Sequence, residues 1–221
     1  MLKSDIFNRS STDGAIVSSE TYNLIIGLVL CWGFLINWLI VRHVDTAWLL
    51  KINPWIFFIS YFASCFFGIY LFNKSKEPAI SFLGYNFVVV PFGLIVNIVV
   101  SRYEPNLVLQ AIQITAVVTI IMMMLGVVFP KFFQSIRFML FITLLIVIII
   151  ELFQIFVLRI HSEWIDWAVA FIFCGYIGYD WGRANNIPKT VDNAIDSAAA
   201  IYMDIINLFL RILRILGRRR R

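Results

Sequence analysis

Continuous apolar runs of about twenty residues, following one another along most of the chain, constrain this sequence more than any other feature. Seven are legible, over residues 22–41, 54–72, 82–101, 107–129, 138–158, 164–181 and 194–216. Each approaches the roughly 17–25 residues needed to cross a hydrocarbon layer about 30 Å thick. The runs are apolar throughout rather than alternating, so helices satisfy their backbones inside a bilayer and a barrel does not. Pro91 and Gly93 predict a kink in the third. Hydrophobic residues make up 61% of the 221 and charged residues 14%, too apolar a balance for a soluble domain. The expectation is therefore an all-α integral membrane protein with seven transmembrane helices. Residues 22–217 form one membrane domain between an exposed polar tail at 1–21, which lacks the apolar core of a signal peptide, and a basic tail at 218–221.

The net charge of +5 does not point to nucleic acid, because six of the eighteen basic residues fall between Arg211 and Arg221, beside a membrane segment. Such tails read as anchors to anionic lipid or as topology signals, and the bilayer is the implied partner. With the N-terminus cytoplasmic, that side carries eight Lys and Arg near helix ends and the opposite loops carry four, which favours this orientation. Seven crossings would then place Arg218–Arg221 on the far side, against the same rule. Cys31, Cys65 and Cys174 each lie within an apolar run, with no disulfide or metal spacing.

Against this background, acids within apolar segments stand out. In the last segment Ser197, Ala200, Asp204, Asn207, Arg211 and Arg214 share one side of a helix, and Ile, Leu, Phe and Met occupy the other. A carboxylate at hydrophobic depth costs about 2.5–3.5 kcal/mol even on the gentlest scale, so Asp204 should face protein or water. Asp180 closes the preceding segment in GYIGYDWG, and an N-inside orientation brings both acids toward one side of the membrane. Two carboxyls in contact in a low dielectric do not both ionise cheaply, so they share a proton and act as a proton-operated latch. The plainer alternatives are a solvated interfacial acid for Asp180 and neutralisation of Asp204 by Arg211. Glu151, with Gln154 three residues on, makes a polar spot on the fifth segment, either lining an ion path or anchoring one helix to another. Asn86, Asn97, Gln110 and Gln113 read as interhelical glue, and Asp192 and Asp196 as acids at a helix start. Intramembrane aspartyl proteases carry a GxGD pattern that neither acid matches here. GxSG and HExxH are also absent, so no enzyme is expected.

The residues GYIGYDWGR (175–183) and SAAAIYMDIINLFLRILRILG (197–217) resemble the Bax inhibitor family, transmembrane proteins of bacteria and eukaryotes. The match consists of a YxxYD ending to the sixth helix and a terminal helix of the form YxDxINLFxxxLRxxG, with the two aspartates 24 positions apart. Residues 81–94, SFLGYNFVVVPFGL, are similar to the family's third helix. The resemblance implies seven helices with the C-terminal one central, and a slow, pH-sensitive calcium leak channel in a bacterial plasma membrane. In it Asp180 and Asp204 form the pH-sensing pair and hold Ca2+ transiently, and Arg214 is the terminal-helix arginine. Ca2+ and H+ are then the ions transported or sensed, and no cofactor is implied. Relatives can carry an arginine latch near the end of helix two and an acid within it. Here that helix is uncharged, which leaves Lys74 or Lys76 as the latch, Arg211 and Arg214 as support, and Glu151 as the ion path. The family also suggests an alternative, a non-conducting interaction protein that modulates a membrane protease or a stress response.

Overall fold

The computed structural model describes residues 15–160 and 162–218, except for the side chains of 72 and 73. Most of the N-terminal tail, His161 and Arg219–Arg221 lie outside the described residues. Among those described, eight α-helices follow in order: α1 Ser19–His43, α2 Thr46–Leu49, α3 Pro54–Lys74, α4 Pro78–Val100, α5 Pro105–Val128, α6 Pro130–Phe153, α7 Glu163–Asn186 and α8 Val191–Arg218. A five-residue π-helical turn, Gln154–Leu158, extends α6, and Arg159 ends it in the left-handed region at φ 54°.

The helix starts are written in the sequence. Pro54, Pro78, Pro105 and Pro130 open α3 to α6, where a fixed φ is pre-organised and the missing N–H costs nothing. Ser18, Asp45 and Asn53 cap α1, α2 and α3 by accepting from the backbone N–H of Thr21, Ala47 and Trp55. Pro130 starts α6 eight residues before its apolar run, because Lys131, Gln134, Ser135 and Arg137 interrupt hydropathy without interrupting the helix. The α4 helix continues through Pro91.

Among the described residues, five helices are long and apolar enough to cross a membrane: α1, α3 over Pro54–Leu71, α4, α5, and α6 with its π turn over Pro130–Leu158. The count of five instead of seven follows from charge. The α7 helix carries Glu163, Asp166, Asp180 and Arg183, and α8 carries three aspartates and three arginines. Large apolar side chains such as Ile59, Phe66, Ile149 and Phe171 are exposed on these helices. That surface suits lipid and not water. No described residue of α8 is exposed.

The chain divides into two compact units, and α8 contributes to each. The first runs to Arg102 and adds Asn186–Tyr202. Here α1 is pinned to α4 by Trp32 Nε1 donating to Asn86 Oδ1 (3.0 Å) and by Tyr85 OH donating to the Val29 carbonyl (3.0 Å). Asn97 Nδ2 donates to the carbonyls of Ile40 and Val44, so both asparagines act as glue. Gln110 and Gln113, read the same way, are exposed instead. The start of α8 is held by Tyr22 OH on the Asn193 carbonyl (3.3 Å) and by Ser81 Oγ on Asp192 Oδ1 (2.5 Å). Tyr202 and Asn37 exchange hydrogen bonds at 2.7 and 3.0 Å. Asp192 is thus more than a helix-start acid, since it takes a buried cross-helix bond.

The second unit comprises Tyr103–Asn185 and the rest of the chain from Met203. The α6 and α7 helices share a core of Leu140, Val147, Ile165, Val169 and Ile172. Where α5 meets α7 there is no room for side chains. A Cβ on Gly126 would strike the Gly178 backbone, and one on Gly182 would stand 2.8 Å from the Gly126 carbonyl oxygen. The Phe133 ring fills the space above Gly178. Small residues let the helix backbones approach in this way.

Candidate functional site

Asp180 lies on α7 between Gly178 and Gly182, two residues of this close seam. Asp204 lies on α8 and is 6% exposed. The second unit brings their carboxyls into hydrogen-bonding contact. A hydrogen bond between two carboxyl groups requires a proton on one of them, since ionised carboxylates only accept. The second oxygen of Asp204, Oδ2, is buried without a partner. Tyr176, one turn before Asp180, lies within electrostatic reach of both acids. Arg137 of α6 stacks over the Tyr179 ring with its guanidinium carbon 5.6 Å from the centroid. Sequence reasoning passed over this cation because it lies in a polar stretch read as a loop.

Arg211 and Arg214 do not support this pair. Arg211 grips Glu151 with two nitrogens, Nη2 to Oε2 at 2.7 Å and Nη1 to Oε1 at 2.8 Å, and donates to Asp166 Oδ1 at 2.9 Å. Arg214 Nη1 reaches Glu151 Oε1 and Asp166 Oδ1, each at 3.1 Å. Arg218 Nη1 lies 3.1 Å from Asp166 Oδ2. This corrects the reading of Arg211 as the neutraliser of Asp204. Two positions seven residues apart on one helix are separated by about 10 Å along the axis, too far for an ion pair, so the partners come from neighbouring helices. Glu151 accordingly sits as an anchor between α6 and α8. Asp166, 1% exposed, is the residue the sequence did not reveal. It stands in the first turn of α7, where an acid is ordinary.

Lys74 donates to the Tyr70 hydroxyl at 2.7 Å, one turn earlier on α3. Lys76 lies between α3 and α4. Both belong to the first unit, whereas the aspartate pair belongs to the second. Among the described residues no three His, Cys, Asp or Glu side chains converge. A Ca2+ ion takes six to eight oxygens, so Asp180 and Asp204 could hold one only with water and backbone completing the shell.

A family model described as "Inhibitor of apoptosis-promoting Bax1" matches residues 15–221. An uncharacterised protein of Helicobacter pylori is 31% identical over 167 residues, 74% of this chain and 71% of the relative. Bax inhibitor 1 of Schizosaccharomyces pombe is 28% identical over 182 residues, 79% of this chain and 66% of its own. The inner membrane protein YbhL of Escherichia coli is 36% identical over 74 residues, 28% and 32% of the two chains. With five apolar helices and a family match over nearly its whole length, this chain is a membrane protein belonging to the Bax inhibitor family.

Proposed function

We propose that the protein is a pH-sensitive calcium leak channel of the Bax inhibitor type, gated by Asp180 and Asp204. The observation that carries this reading is the contact between two carboxyls on adjacent helices, one of them buried. A bridging proton holds α7 to α8. Without it, two like charges in a low dielectric repel or draw in a cation, and Ca2+ is the hard, oxygen-seeking ion such a pair favours. In this reading α7 and α8 are the sixth and seventh crossings, and α8 is enclosed by the other helices with its polar stripe turned to protein. The N-terminus is cytoplasmic and the membrane is a bacterial plasma membrane. The pair binds and releases ions and protons without catalysing a reaction. Calcium flux from proteoliposomes across a pH series tests the proposal. The double variant Asp180→Asn, Asp204→Asn should flatten the pH dependence, and an unchanged flux and profile would sink the idea.

One observation favours a second reading. Glu151, the acid placed to line an ion path, is already taken by two arginines. On that view the protein conducts nothing and modulates a partner, such as a membrane protease or a stress-response protein, through the tail at 1–20 and Arg218–Arg221. Most of those residues lie outside the described ones. Null flux from purified protein, with a single stoichiometric crosslinked partner, would favour it.

A further inference from the structure

The segment just ahead of α1 is tied to the loop between α7 and α8. Ile16 and Thr190 form an antiparallel β-bridge, and the Val17 N–H donates to the Lys189 carbonyl at 2.9 Å. Ile16 and Val17 are β-branched and favour the extended backbone that this pairing needs. Ser18 then ends the extended stretch as the cap of α1. A side chain closes the same contact, with Lys189 Nζ donating to Ser19 Oγ at 2.5 Å. All of these residues belong to the first unit.

What this contact holds is the start of α8. Thr190, the bridged residue, caps that helix: its Oγ1 accepts from the Asn193 N–H at 3.2 Å and its carbonyl from the Ala194 N–H at 3.0 Å. Asn193 Nδ2 donates back to the Pro188 carbonyl at 2.7 Å and closes the turn. Thr190, Asn193 and Ala194 are each at most 1% exposed, whereas Ile16 is 74% exposed. A buried cap is therefore held by an exposed segment. Among the described residues the β-pairing is one bridge, and strand pairing on so small a scale is marginal in water. Tyr22 supplies a second hold, rooted in α1 itself, through its hydroxyl on the Asn193 carbonyl and Ser197 Oγ. Elements tied by few, exposed hydrogen bonds open far more readily than a packed core. We propose that residues 15–17 are a releasable strap, whose pairing with Lys189 and Thr190 sets how often the cap of α8 opens while the rest of the first unit stays closed. The loop so held joins α7, which carries Asp180, to α8, which carries Asp204. The inference is independent of the channel reading.

The strap is tested on the full chain, purified in detergent, by amide hydrogen exchange. The peptide covering 191–197 reports on the cap, and peptides from α4 serve as the reference. Val17→Pro removes the N–H that donates to Lys189, and its bias of Ile16 toward extended backbone agrees with the bridge. Exchange at 191–197 should run about fivefold faster, the opening expected from one lost hydrogen bond, and α4 should exchange as in wild type. Lys189→Met, which keeps the apolar stem and drops the donor to Ser19, should accelerate the same peptide by a smaller factor. Unchanged exchange at 191–197 in Val17→Pro would overturn the proposal, since the bridge would then hold nothing. Acceleration by Lys189→Met alone would overturn it too, by assigning the hold to one surface side chain. Equal acceleration of α4 in Val17→Pro would mark the bridge as part of the global fold and not a strap, and would overturn it as well.

Discussion

Asp166 offers the sharpest test of how the end of this bundle is held together. Its carboxylate receives Arg211 and Arg214 on one oxygen and Arg218 on the other, at 2.9 to 3.1 Å. Asp166→Asn keeps the shape and removes the charge, leaving Glu151 to Arg211 and Arg214 and taking from Arg218 the carboxylate it meets. Removing one partner of a buried ion pair costs about 3–5 kcal/mol, because the surviving charge remains buried. Arg214 and Arg218 are about one-third exposed, so water takes up part of the deficit and the expectation falls to about 3 kcal/mol. The assay is unfolding of the purified protein in mixed micelles against increasing mole fraction of a denaturing detergent, followed by circular dichroism. The charge argument makes a second demand: adding Arg218→Gln to Asp166→Asn removes a surplus cation and should recover about 1 kcal/mol. The reasoning is refuted by a single variant within about 0.5 kcal/mol of wild type, the ordinary range for a surface change, or by a double variant no more stable than the single.

Two further outcomes follow from packing. Gly126→Ala places a methyl group against the Gly178 backbone, where no side chain can rotate away, and should destabilise by about 1–3 kcal/mol in the same assay. A larger loss than for Gly27→Ala, where a Cβ meets nothing within 4 Å, checks that the cause is the seam. Ser81→Ala strips the buried Asp192 of its cross-helix donor and should cost about 1–3 kcal/mol, whereas Ser135→Ala, on an exposed hydroxyl, should cost little.

What was legible in the sequence was whatever contrasted with its surroundings. Asp180 and Asp204 were visible because a carboxylate is costly within an apolar helix, and prolines marked where α3 to α6 begin. Asp166 was hidden because acids are common in a first helical turn, and its arginine partners lie 45 and 48 positions away. Arg211 was visible, but the alternative that set it against Asp204 inferred contact from a shared helical face, and its partners come from α6 and α7. Hydropathy also set the wrong start for α6, because polar residues before position 138 belong to the helix although they interrupt the apolar run. The patterns record what one helix presents. They do not record what a neighbouring helix brings to meet it.

The glycine seam between α5 and α7 also has a mechanical meaning. Helices that meet through interlocking side chains resist sliding, as meshed teeth do. Gly126, Gly178 and Gly182 offer no teeth, so backbone lies on backbone and the contact behaves as a plain bearing. Such a contact yields more readily to translation along the helix than to rotation, which would drive neighbouring side chains into the gap. The Phe133 ring occupies the space over Gly178, and Asp180 stands between Gly178 and Gly182, on the stretch of α7 where backbone lies on backbone.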